Sequence, residues 1–166
     1  MKTPGRRGLS LAALALAGAA VVATSPRRWH VTGPSLSGEF RLNTPNETTP
    51  PRRFRLALPP VAHVAGQQVD FTLHGTHPGH QGVRLRLTGD TTVPFEPLPG
   101  GGHQGSARVR VSCPQRAPCE ATFTLSIGVE STAFITGSTS WALTSEARGL
   151  GEDPPAGTRL NLTELP

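Results

Sequence analysis

Three histidines recur at a three-residue spacing in His74-Gly75-Thr76-His77-Pro78-Gly79-His80. Imidazole is the commonest side-chain metal ligand near neutral pH, and three of them suit an open zinc or copper site. His74, His77 and His80, joined by His103 from a later turn, are therefore the candidate metal ligands. Against this reading, a three-residue spacing is no recognised ligand signature outside a helix, and exposed loop histidines are common.

A second pattern is arginine at alternate positions: Arg53 and Arg55, Arg84 and Arg86, Arg108 and Arg110, with Arg159 standing apart. Alternation on a strand sends such pairs to one face. Guanidinium forks there match sulfate, phosphate or carboxylate oxygens, which makes Arg84, Arg86, Arg108 and Arg110 a candidate face for a surface polyanion. The simpler account is that they solubilise the face and pair with acids on neighbouring strands.

Catalytic templates find no match. The chain has no GxSxG elbow, HExxH helix or Walker loop, so no catalytic residue and no bound cofactor is assigned. Glu152 and Asp153 sit among Gly and Pro, without the held geometry that a glycosidase needs. A Ser-His-acid triad assembled from distant residues stays open as a route to an exported hydrolase. The only lysine is Lys2, which leaves no Schiff-base or phosphate-loop lysine downstream.

Charge points away from nucleic acid. The 166 residues carry 16 basic and 11 acidic side chains, for a formal +5. Lys2, Arg6 and Arg7 precede an apolar run over 9–22 and a small-residue cleavage pattern at Val21-Val22-Ala23, the organisation of a secretory signal peptide. Removing residues 1–23 takes away three basic groups and no acidic one, leaving +2 on a chain of 143 residues. The apolar run is shorter than the roughly 20 residues that span a bilayer, so no transmembrane segment is expected after processing. Arg6-Arg7-Gly8-Leu9 resembles a twin-arginine export signal, except that Ser10 replaces a hydrophobic residue. With no Tyr, two Trp and six Phe, few rings are left for base stacking.

The expected compartment is secreted or periplasmic, and a composition rich in Ala, Gly, Pro and Arg favours a bacterial source. In such a compartment Cys113 and Cys119 are expected to form a disulfide closing a short hairpin loop.

What must position these residues is a set of strands. The 19 Gly and 17 Pro break any long-helix bundle. Two-residue alternation runs through Phe54, Leu56 and Leu58, then Val69, Phe71 and Leu73, then Val83, Leu85 and Leu87. It resumes in Val109 and Val111 and in Phe123, Leu125, Ile127 and Val129, with shorter candidates at 92–95, 132–135, 140–144 and 158–163. Turn residues separate about seven to nine such runs, which is the pattern of an antiparallel β-sandwich, with Ig-like topology a natural candidate and a small barrel the alternative. The expected organisation is a signal helix over 1–23, an exposed Pro/Ser/Thr/Arg-rich lead-in over 24–52 adding at most an edge strand, and a sandwich over 53–166. Trp141 is expected in the core and Trp29 loose.

If the four runs between 69 and 111 are consecutive neighbours, chain direction brings His103 to the same end as residues 74–80 and sends His63 to the other. The leading expectation is a non-catalytic binding, accessory or envelope-associated module, its partner an unidentified protein or cell-surface polymer and not nucleic acid. A metal-binding protein using the histidine cluster is the alternative, and an exported hydrolase the third.

Overall fold

The computed structural model describes residues 27–42, 49–60, 66–79, 82–129 and 137–166. The proposed leader, His63, His80 and the strand candidate at 132–135 lie outside them. Ten strands and no helix occur among the described residues, and none of these residues forms a helix able to cross a membrane.

The strands are β1 (Arg28–Leu42), β2 (Arg52–Leu58), β3 (Gln68–His77), β4 (Val83–Thr88) and β5 (Thr92–Pro94). They continue as β6 (Glu96–Pro97), β7 (His103–Ser112), β8 (Cys119–Val129), β9 (Gly137–Leu150) and β10 (Asn161–Leu165). Alternation works as the sequence implies: Phe54, Leu56, Leu58, Val69, Phe71, Leu73, Leu85, Leu87, Phe123 and Leu125 are all buried. Together with residues of β1 and β9 they make one core filled from two five-stranded antiparallel sheets.

Sheet A has the order β1-β9-β3-β7-β6 and sheet B the order β10-β2-β8-β4-β5. The pairings are nested: β1 with β9, β2 with β8, β3 with β7 and β4 with β5. β9 also joins β3, and β8 also joins β4. A long antiparallel ribbon, folded over so that its two halves become facing sheets, gives this order, which is the jelly-roll arrangement. It is not the immunoglobulin order allowed by the strand count, in which the sheets group other strands.

Nesting corrects two further expectations. β3, β4, β5 and β7 are not consecutive neighbours, because β4 and β5 belong to the opposite sheet. The Cys113–Cys119 disulfide is present, with Cα atoms 4.9 Å apart, but it closes the crossing from β7 of sheet A to β8 of sheet B rather than a hairpin. The lead-in does supply an edge strand, as expected: residues 28–42 lie at the edge of sheet A, paired with β9 almost throughout, the register shifting only between Thr32 and Ser35. Ser145 donates a 3.1 Å hydrogen bond to the Pro34 carbonyl at that irregularity. β1 also contributes core: Trp29, expected to be loose, is only 3% exposed, and Phe40 and Leu42 are buried.

Trp29 fits because Gly149 lies beneath its indole, in space that a Cβ would occupy. At the other end of β9, Trp141 is buried, with its ring edge-on to Phe54 at 5.4 Å and the Arg52 guanidinium 5.3 Å over its indole.

Candidate functional site

The outward side chains of sheet A fall into rows across four strands. His30, Arg148, Asp70 and Arg110 stand in register on β1, β9, β3 and β7. The next row is Thr32, Glu146, Thr72 and Arg108, and a third holds Thr144, His74 and Ser106. Strands lie about 4.8 Å apart, so Arg148 and Arg110 are roughly 10 Å from one another, with Asp70 between them. Arg28, Arg108, Arg110 and Arg148 line one open depression of about 820 Å³ with His30 and Asp70. Leu150 at its edge is the exposed large hydrophobic side chain among the described residues.

Two carboxylates set the orientation of the forks. Asp70 accepts from Arg110 Nε at 2.6 Å and from its terminal nitrogen at 3.0 Å, a bidentate pair. The hydrogen bond from Arg110 holds the Asp70 carboxyl below its ordinary range; burial opposes this, and the charges of Arg110 and Arg108 add to the lowering. Asp90 reaches the same strand from the β4–β5 turn, accepting from the Arg110 backbone N–H at 3.0 Å.

Glu146 lies at the centre of a wider cluster. Its carboxylate contacts His30 Nε2 at 2.8 Å, Arg148 at 3.1 Å and His74 Nε2 at 3.5 Å. Burial pushes the Glu146 carboxyl up, but the hydrogen bonds of His30 and Arg148, the Arg148 charge and the His74 contact outweigh it and hold the group ionised. The other ring nitrogen of His74, Nδ1, lies 2.7 Å from Ser106 Oγ. Ser106, His74 and Glu146 thus form a chain of contacts of the nucleophile-base-acid type, on an uncovered sheet face whose backbone N–H groups serve the ladders.

The histidine cluster is laid out differently from the expectation. Residues 74–77 are not loop, because β3 extends through His77. Three residues along a strand is an odd step, so His74 faces outward while His77 is buried on the inner side, 4% exposed. The two rings therefore do not converge on one ion. His103 does approach His77, because their Cα positions pair across β3 and β7. Their rings stack at 4.9 Å beside Phe95, and His77 Nδ1 accepts from the Gly79 N–H at 3.0 Å. Among the described residues no group of three or more His, Cys, Asp or Glu is arranged to hold a metal ion.

The arginine face is also divided. Arg108 and Arg110 point outward from sheet A, whereas Arg84 and Arg86 point outward from β4 in sheet B, on the opposite side of the sandwich. Arg53 and Arg55 belong to sheet B as well, with Arg55 3.8 Å from Glu120. One face cannot contain all four candidates.

Arg28, Arg148, His30 and Glu146 escape a search for hydrophobic alternation, whereas Asp70 falls on the polar side of the Val69, Phe71 and Leu73 run. The inward partners along β9 beyond Leu143 are Ser145, Ala147 and Gly149, small residues that give no strong apolar signal; Gly149 lies against the Trp29 indole and Ser145 against Gly33. Following the polar half of the alternation through Thr144, Glu146 and Arg148 finds them.

Comparison with known proteins finds no family model, no curated protein and no solved structure that matches this chain.

Proposed function

We propose that this chain is an exported, non-catalytic β-sandwich module that binds an anionic polysaccharide of the cell surface or its surroundings through the outer face of sheet A. The observation that carries the reading is the meeting of Arg28, Arg108, Arg110 and Arg148 from three strands on one open depression. Asp70 and Glu146 hold two of the forks in place and leave them donors to spare. Sulfate and carboxylate groups are what such forks recognise. A saccharide polymer fits better than nucleic acid or lipid, because Trp29 and Trp141 are buried and Leu150 alone offers no bilayer anchor. The leader-like residues 1–23 and the Cys113–Cys119 bond support export to a secreted or periplasmic location.

The test is retention of the processed protein, residues 24–166, on immobilised heparin at low ionic strength. Retention is expected, with elution at moderate salt and clear weakening in R108A/R148A, while R84A/R86A on the opposite sheet serves as the comparison. No retention even at low ionic strength ends the reading. Loss in R84A/R86A with R108A/R148A unaffected assigns binding to the wrong face.

A second reading, an exported hydrolase, draws on the Ser106, His74 and Glu146 contacts. It predicts that p-nitrophenyl acetate is cleaved in a manner abolished by S106A and that a fluorophosphonate labels Ser106. Unlabelled Ser106 removes it.

A further inference from the structure

We propose that the hold of the outer face of sheet A on a sulfated or carboxylated polysaccharide strengthens in mild acid, because His30 and His74 flank the Glu146 carboxylate on that face. The inference rests on the anion-binding reading of sheet A and adds a regulation to it.

The geometry is a carboxylate held between two imidazoles. His30 Nε2 is 2.8 Å from one Glu146 oxygen and His74 Nε2 is 3.5 Å from the other. Both rings are substantially exposed, at 46% and 42% of the side chain, so protons and ligand can reach them, whereas Glu146 is only 15% exposed. With both imidazoles neutral, four guanidinium groups share the face with the carboxylates Asp70 and Glu146.

Imidazole is the side chain that changes charge between pH 5 and 8. Protonation of His30 and His74 adds two positive charges beside Glu146, which stays ionised in mild acid because its carboxyl is held low. An approaching sulfate then meets an imidazolium-neutralised carboxylate and an excess of guanidinium.

The surrounding groups do not cancel this. His30 faces Arg148 and Glu146 of β9 and shares a hollow with Asp153 of the connection to β10. His74 has Thr144 of β9 and Ser106 of β7 in register, with Arg108 one row away. Arg28 on β1 and Arg110 on β7 add fixed positive charge, and Asp70, paired with Arg110, keeps its negative charge throughout the window. Asp153 lines that hollow and not the depression that holds the arginines.

The experiment measures heparin affinity of the processed protein at pH 7.5 and 5.5 at one ionic strength. Affinity is expected to rise about three- to tenfold at the lower pH, a screened surface effect that shrinks with added salt. In H30Q/H74Q the rise disappears, and in E146Q affinity at pH 7.5 moves toward the acid value; circular dichroism at both pH values checks that each variant is folded. Equal binding by the wild type at both pH values, or an undiminished rise in H30Q/H74Q, overturns the inference and leaves the anion-binding reading standing. Absence of binding at either pH overturns both.

Discussion

At the scale of single residues, the ion pair between Asp70 and Arg110 makes opposing contributions to fold and function. Asp70 aligns a guanidinium fork while placing a negative charge where the proposed anion would bind. D70N is therefore expected to raise heparin affinity severalfold at pH 7.5 and to lower the melting temperature slightly. The sign of the pH dependence follows from the depressed carboxyl. Its contribution to stability is present above the ordinary aspartate range and is lost as pH falls through the lower folded-state value, so wild type and D70N should differ at pH 7 and converge below about pH 4. Melting curves across that range check it; a gap that widens in acid contradicts the assignment. Exposed arginines at alternate positions were legible in the sequence. Their acidic partners were not, because Asp70 and Arg110 are 40 residues apart and only the pairing of β3 with β7 brings them together.

At the scale of elements, β1 and the disulfide connection hold the sandwich at places that the sequence leaves in doubt. A chain beginning at residue 25 should fold as the full chain does, while one beginning at residue 43 should not. The second loses Trp29, Phe40 and Leu42 and exposes the full length of β9. Far-ultraviolet circular dichroism and a cooperative melt distinguish the two outcomes. G149A should cost about 1–3 kcal/mol, since the added methyl displaces the Trp29 indole, and urea unfolding reads it directly. Replacing both Cys113 and Cys119 by serine should cost about 2 kcal/mol on the chain-entropy account of so short a loop. The effect should match that of reducing the wild type with dithiothreitol. The sequence misreads β1 because its inward positions between Trp29 and Phe40 include Gly38, which accommodates Trp141, and only modest apolar residues. A strand that covers large rings needs small residues of its own, so its hydrophobic pattern is faint.

At the scale of the whole molecule, the two sheets turn their outward charges to opposite sides. Overall charge and local charge are then separate matters: a chain whose residues 24–166 carry a formal charge of only +2 still gathers four guanidinium groups in one depression. Binding through that face should be strongly salt-sensitive, with most affinity lost once the Debye length falls below the roughly 10 Å between Arg148 and Arg110, near 0.1 M salt. A salt titration of heparin binding checks this; affinity that survives 1 M salt points to apolar contact instead.

The sequence by itself determines which residues alternate in strands, which faces are apolar, that the cysteines sit within bonding reach and that no lysine follows Lys2. These are local properties, set by a period of two and by spacing along the chain. Only the tertiary structure decides which strands are neighbours, since period-two alternation specifies a strand's buried face and leaves its partner open. Nested pairing, with β1 beside β9 and β3 between β9 and β7, is a choice among long-range contacts. That choice separates His74 from His77 and Arg84 from Arg108, and assembles His30, Glu146, His74 and the arginines of sheet A into one site.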